Sequence, residues 1–201
     1  MLWFFEAIHF YISLAILAIA LTILWIQGRN LSYLFFCAVF GIYLIGVVSV
    51  VVFPIYIPET NIEFSKLQLN LVPFNFGGCD FLFLCIRNIY ENILLTIPFG
   101  FGISFITRIR PKNIFGLAIT VGFILEFVQI TISLIVRSSF RAADINDVIL
   151  NATGVLLGCS IFKIFGWVYL FLIQKLNLRP KYIFAYIYDI AWNHHPHPRL
   201  D

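Results

Sequence analysis

The residues best suited to chemistry in this sequence are a few charged side chains set in or beside apolar stretches. Glu126 lies inside the apolar run 114–136, and Asp144 and Asp147 come just before another such run, with Arg141 ahead of them. An acid within an apolar helix is energetically costly, which makes it a functional-site hypothesis by default. One of these three carboxylates could act as a general base, while Arg141 could orient an anionic group.

The same acids also have structural interpretations that the sequence leaves open. Glu126 suits a buried acid paired with an arginine. Asp144 and Asp147 suit the first turn of a helix, where a side chain caps free N–H groups and the macrodipole favours negative charge.

Amides, hydroxyls and small residues recur at helical spacing around these acids. At about 100° per residue, each of three apolar runs carries them on a single stripe. The stripes are Asn88, Asn92 and Thr96; Ala118, Gly122, Glu126, Gln129 and Ser133; and Asp144, Asp147, Asn151, Gly154 and Gly158. Gly154 and Gly158 form a small-xxx-small motif that lets two helices approach closely.

We expect the three stripes to converge on one polar pocket. Its predicted binding residues are Asn92, Gln129, Asn151, Arg87 and Arg137. With Arg141 also at the rim, such a pocket would suit an anionic headgroup that carries hydroxyls or amides, because charge-assisted hydrogen bonds to arginine are strong.

The composition indicates which elements must position these residues. The 201 residues are 61% hydrophobic and only 11% charged, whereas an ordinary soluble domain is about 25% charged. A spanning helix needs about 20 apolar residues. The sequence therefore predicts one all-α membrane domain over 1–201, a polytopic bundle of about five helices without a separate soluble domain. Its predicted spans are 7–26, 31–53, 88–107, 114–136 and 148–171.

Two features of this bundle are irregular. Pro98 lies inside the third predicted span and predicts a kink, because proline removes one N–H and crowds the preceding turn. The second half of the loop 54–87 is too apolar for a solvated loop. It predicts a re-entrant or interfacial segment, which requires protein or a water-filled cavity around it.

The distribution of basic residues predicts the orientation of the bundle. More Lys and Arg side chains fall in the segments that share a side with the C-terminus, so the positive-inside rule places the N-terminus outside and the C-terminus in the cytoplasm. The tail 174–201 is aromatic-rich and too short to span again, which predicts an interfacial segment on the cytoplasmic side. The polar pocket would then open outward.

Other candidate sites carry less information. His194, His195 and His197 are most simply a tail cluster, so we predict no metal and no cofactor. Cys79 and Cys85 share one loop, and whether they pair is left open. The net charge of +3 does not suggest nucleic acid. Membrane lipids are the expected partners, and the oligomeric state is left open.

Four short motifs resemble those of the VanZ family of bacterial membrane proteins. Residues 70–74 resemble its N-L-x-P-F signature, and Asn92 through Gly100 its N-x5-P-x-G helix. Residues 126–129 resemble its E-x-x-Q, and residues 141–158 its R-x2-D-x2-D-x3-N-x2-G-x3-G pattern. The resemblance covers about 40–170, in family order. It adds Asn70, Pro73, Pro98 and Gly100 to Gly154 and Gly158 as structural positions. The first span, Thr96 and the aromatic tail depart from the pattern.

The resemblance implies a multi-pass protein of the bacterial cell envelope. The founding member lowers binding of the glycopeptide teicoplanin to the cell surface, but the family's biochemical activity is not established, and this sequence does not decide whether the protein is an enzyme. The leading hypothesis is an envelope protein that binds or modifies a cell-wall or lipid-linked substrate. The alternatives are a small transporter or flippase component, and a non-enzymatic scaffold whose polar stripes serve helix packing.

Overall fold

The computed structural model describes residues 2–52, 69–76, 82–136 and 143–194. Within these ranges the chain is a bundle of helices with one small pairing of extended segments. The helices are α1 (Leu2–Ile26), α2 (Leu31–Val52), α3 (Leu82–Ile106), α4 (Ile114–Val136), α5 (Ile145–Lys175) and α6 (Ile183–His194); the two-residue strands are β1 (Leu69–Asn70) and β2 (Ala143–Asp144).

Five of these helices, α1 to α5, are long and apolar enough to cross a membrane. The predicted all-α polytopic bundle is therefore confirmed, and the protein is a multi-pass membrane protein. The bounds differ most from the predicted spans at three helices: α1 begins at Leu2 rather than at 7, and α3 and α5 also differ. α3 begins at Leu82 rather than near 88, and α5 runs for 31 residues. At 1.5 Å per residue α5 is about 46 Å long, longer than the roughly 30 Å of a hydrocarbon core.

α3 and α5 form the most extensive helix pair in the bundle. Glycines make this close approach feasible. A Cβ atom on Gly154 would overlap the backbone carbonyl of Ile93 and the hydroxyl of Thr96, and one on Gly100 would overlap the carbonyl of Val155. The hydroxyl of Thr96, 1% exposed, donates to the carbonyl of Asn151 at 2.7 Å across the same interface. The small-xxx-small stripe is thus the contact surface for α3.

α3 continues helically through Pro98. The hydroxyl of Tyr43 on α2 donates to the carbonyl of Leu95 at 2.7 Å, beside the turn where proline removes a backbone donor. Further along the helix, the ring of Phe36 on α2 stacks on Phe105 with centroids 4.4 Å apart. α2 therefore packs along α3 on both sides of the proline.

α4 packs on α5, and the end of α4 extends well past the first residue of α5. The N–H of Asp144, just before α5, lies beside Glu126. Glu126 precedes the last residue of α4 by about ten residues, or roughly 15 Å. The start of α5 is therefore recessed below the end of α4. β1 pairs in parallel with β2 at this recessed level, with Asn70 opposite Asp144.

The predicted interfacial tail contains a helix that folds back onto the bundle. Asn177 and Tyr182 adopt positive φ angles of 50° and 54° in the turn between α5 and α6. The hydroxyl of Tyr186 on α6 then donates to the carbonyl of Phe105 at 2.5 Å. Burial raises the pKa of Tyr186 to about 12. α6 thereby covers the end of the bundle opposite to β1 and β2.

Candidate functional site

Asp147 is the acid that the three stripes bring to the centre of the candidate site. It lies in the first turn of α5, where the helix macrodipole favours a negative charge. Its Oδ1 accepts hydrogen bonds from Asn92 Nδ2 at 2.8 Å and from Asn88 Nδ2 at 3.3 Å, both on α3. The polar stripes of α3 and α5 therefore converge.

Asp144 organises the recessed start of α5. Its Oδ1 caps the helix by accepting from the backbone N–H of Asn146 at 2.8 Å, and it also accepts from Asn70 Nδ2 at 3.0 Å. The backbone N–H of Asp144 donates to Glu126 Oε1 at 2.8 Å. Glu126 is 6% exposed, so the stripe of α4 reaches the same place through a buried carboxylate.

The segment 69–76 is held against this helix start by the side chain of Asn146. Asn146 Oδ1 accepts from the backbone N–H of Phe74 at 2.6 Å, and its Nδ2 donates to the carbonyl of Asn75 at 2.8 Å. Phe74 has a φ of 61°, a left-handed conformation that is unusual for a bulky residue and needs such support. Asn70 Nδ2 donates to the same carbonyl of Asn75 at 2.6 Å.

Asn146 is a residue of the candidate site that the sequence did not predict. It is 2% exposed and joins both polar ends of its amide to a distant segment. The available signal was its position between Asp144 and Asp147 at the start of an apolar run. Helical periodicity places Asn146 on a different face from either acid, so the stripe pattern does not include it.

A cavity of about 810 Å³ opens beside Asp147, a volume typical of a small-molecule site. Its polar lining combines acids, amides and one arginine: Asp144, Asp147, Asn88, Asn92, Gln129, Glu91 and Arg87. Val50 and Val51 of α2 and Leu94 and Leu95 of α3 supply the apolar wall. Arg87 Nε contacts Glu91 Oε1 at 2.6 Å at the exposed rim, an ion pair one helical turn apart.

An apolar groove of about 340 Å³ lies next to this cavity, between α2, α3 and α4. It is lined by aliphatic and aromatic side chains that include Val47, Val48, Phe99 and Leu125. Val51 lines both the groove and the polar cavity. A polar and an apolar compartment therefore share one wall.

The remaining predicted site residues are divided between the wall of the polar cavity and positions away from it. On α4, Gln129 lines the cavity while Glu126 holds the backbone behind it. Asn151 is 1% exposed within the α3–α5 interface, and its Oδ1 has no hydrogen-bond partner among the described residues. Pro73 lies in the exposed turn of the segment 69–76. Arg137 and Arg141 lie outside the described residues, as do Cys79, His195 and His197.

The site's chemical capacity follows from these contacts. The carboxylate of Asp147 is fixed by two amides at the cavity wall, so it can accept a hydrogen bond or a proton from a bound hydroxyl or amine. The Arg87 guanidinium at the rim can bind a phosphate or carboxylate. Within the described part of the chain, no three His, Cys, Asp or Glu side chains cluster as a metal site would require.

Three comparisons with known proteins give one family match. The family model described as VanZ/LLP1 matches residues 40–166, which include α3, α4, both strands and most of α2 and α5. A search of curated proteins and a search of solved structures each found no match.

Proposed function

This chain belongs to the VanZ/LLP1 family, and from that premise we propose that it is a cell-envelope protein that binds a lipid-linked or cell-wall substrate in its polar cavity. The observation that carries the proposal is the cavity of about 810 Å³ at Asp147, which shares Val51 with an apolar groove. A polar headgroup in the cavity and a hydrocarbon chain in the groove would fill both compartments.

The cavity's lining favours a headgroup with both donors and negative charge. Asp147 and Gln129 offer oxygen acceptors to the hydroxyls of a sugar or to the N–H groups of a peptide. Arg87 offers a guanidinium to a phosphate. Under the positive-inside rule this end faces outward, where envelope substrates are accessible. Retaining such substrates is how the protein would lower glycopeptide (teicoplanin) binding at the cell surface.

Asp147 is the residue we assign as the general base if the bound substrate is also modified. It is the acid that both lines the cavity and is oriented by two amides. Glu126, Asp144 and Asn146 are positioning residues in this proposal, because their contacts hold the start of α5 and the segment 69–76 in place.

The test compares Asp147→Asn and Arg87→Gln with Asp189→Asn, an exposed acid on α6 at the other end of the bundle. Each full-length variant is purified from a bacterial host in mild detergent, and its copurifying lipids are quantified by mass spectrometry. We expect a phosphate- or sugar-bearing lipid with the wild type and with Asp189→Asn. We expect at least about a tenfold loss in the two cavity variants, since a charged hydrogen bond contributes roughly 1.5–3 kcal/mol.

Two results would contradict the proposal. Equal lipid retention in all four proteins would remove the cavity as the binding site. A loss of folded yield that parallels the loss of lipid would favour the scaffold alternative, in which the polar stripes serve packing. Teicoplanin susceptibility of the same strains tests the cellular consequence, which should change with Asp147→Asn and not with Asp189→Asn.

A further inference from the structure

A second cavity, of about 590 Å³, lies at the end of the bundle opposite to Asp147. It is bounded by the end of α3, by the connection from α3 to α4, by α5 and by the last turn of α6. Its volume also falls within the range of small-molecule sites, roughly 300–1,000 Å³. The substrate proposed for the first cavity does not use it.

Positive charge dominates the lining of this second cavity. Arg108 and Arg110 reach it from the α3–α4 connection and Lys163 from α5, and no Asp or Glu is among its described lining residues. None of these three cations forms an ion pair with a described residue. Arg87 and Glu91, by contrast, do form one at the other end of the bundle. Three cationic side chains therefore face one cavity with no counter-charge from the described part of the chain.

The hydroxyl of Ser104 is a further polar group at this cavity, independent of the three cations. It is 5% exposed and lines the cavity from α3. Other helical hydroxyls, such as those of Thr120, Thr153 and Ser160, donate to the carbonyl four residues earlier. The Ser104 hydroxyl makes no hydrogen bond to any described residue, so a donor on a largely buried side chain lines the cavity without a protein partner among the described residues. Such groups are rare unless a ligand or water satisfies them.

We propose that this basic cavity binds a phosphate-bearing anion. Arg108, Arg110 and Lys163 supply the charge-assisted contacts, and the Ser104 hydroxyl donates to a phosphate oxygen. A phosphate has several acceptor oxygens and matches this set of separate donors better than a lone carboxylate does. Both the headgroup of an acidic phospholipid and a soluble phosphate carry this chemistry. α6 closes the site, since the ring of His194 packs on Phe162 with centroids 5.2 Å apart.

The experiment uses the full-length protein and two sets of matched variants. One set replaces Arg108, Arg110 and Lys163 with Gln together. The control set replaces Lys112, Arg179 and Lys181, exposed cations at the same end that do not line the cavity. Ser104→Ala tests the buried donor with little change in volume. Thermal unfolding without ligand verifies that every variant is folded.

Two probes distinguish the source of the phosphate. Native mass spectrometry counts phosphatidylglycerol retained after transfer from discs of phosphatidylcholine and phosphatidylglycerol in equal parts, with phosphatidylcholine discs as the reference. Inorganic phosphate is titrated against the unfolding midpoint in detergent. We expect the wild type and the control set to bind one equivalent more than the cavity set does at a probe concentration that fills the basic cavity of the wild type. We expect the cavity set to lose about tenfold or more in affinity and Ser104→Ala to lose several-fold.

The pattern across probes then decides the ligand. Retention of phosphatidylglycerol without an effect of inorganic phosphate supports a lipid headgroup, and stabilisation by inorganic phosphate supports a soluble ligand. The proposal is overturned if the wild type binds neither probe, or if the control set loses as much binding as the cavity set.

Discussion

The carboxylate of Glu126 accepts a hydrogen bond from the backbone N–H of Asp144 at 2.8 Å, in a place where it is 6% exposed. The carboxylate of Asp147, in contrast, lies at the wall of a cavity and is held there by two side-chain amides. At the scale of single residues, one acid therefore supports a backbone and the other faces the space that a ligand would occupy.

Replacing Glu126 with Ala should lower the stability of the protein more than replacing it with Gln. Alanine leaves the partly buried N–H of Asp144 without the Glu126 acceptor, which costs about 1–3 kcal/mol, whereas Gln keeps an oxygen in reach of the same donor. The midpoint of thermal unfolding in detergent measures both variants. Equal losses would show that the negative charge matters more than the hydrogen bond.

The sequence could predict the residues that lie on helical stripes, because a period of 3.6 residues places them on one face whatever surrounds the helix. Asn92, Asp147 and Gln129 were predicted as site residues in this way, and all three line the cavity. The division of roles between Glu126 and Asp147 depends on how far α5 is recessed along α4. That register is set by packing between helices and is invisible to periodicity.

At the scale of helices, the α3–α5 pair determines how well the site is positioned. Gly154 contacts the turn of α3 that contains Ile93 and Thr96, one turn from the amide of Asn92. Separation of the two helices would lengthen the hydrogen bond between Asn92 and Asp147, so packing below the cavity controls geometry inside it.

Gly154→Ala should therefore destabilise the bundle and weaken ligand binding together. The added methyl group overlaps backbone atoms, which cannot move as a flexible side chain can, and overpacking of this kind costs about 1–3 kcal/mol. Gly46→Ala on α2 is the matched control, since beyond the adjacent backbone of α2 no described atom lies within 4 Å of its Cβ position. Unfolding midpoints and lipid retention are measured on both. A midpoint for Gly154→Ala equal to that of Gly46→Ala would contradict the packing argument.

The irregular parts of the fold were less predictable than its helices. Low polarity in the second half of the loop 54–87 predicts a re-entrant or interfacial segment. The structure places residues 82–87 of that loop in α3, and Asn70 and Asn146 attach the described segment 69–76 to the recessed start of α5. The basic cavity was not predicted. Its lining comes from α3, α5, α6 and a connecting turn, and residues so far apart in sequence share no period.

At the scale of the whole molecule, the two cavities lie at opposite ends of the bundle and carry different charge. Acids and amides surround Asp147, while Arg108, Arg110 and Lys163 surround the other cavity. The basic end also contains Lys112, Lys175 and Arg179. The positive-inside rule associates such an excess of Lys and Arg at one end with the cytoplasmic face.

The membrane orientation can be checked with reporters at the two termini. We expect a fluorescent protein fused after residue 201 to fluoresce, and alkaline phosphatase fused there to be inactive, because the C-terminus is expected in the cytoplasm. Alkaline phosphatase placed before residue 1 should be active. The reverse pattern would turn the Asp147 cavity toward the cytoplasm and would remove envelope substrates as its ligands.

The pairing of β1 with β2 also has a consequence for synthesis of the protein. Asn70 contacts Asp144 across 74 residues, and α3 and α4 lie between them. At roughly 5–20 residues per second, the ribosome needs about 4–15 s to deliver Asp144 after Asn70. The segment 69–76 therefore cannot pair with the start of α5 until α3 and α4 have been made and α5 has begun. The polar cavity is thus completed late, when α5 enters the bilayer, and a nascent chain that ends before Asp144 has no finished site.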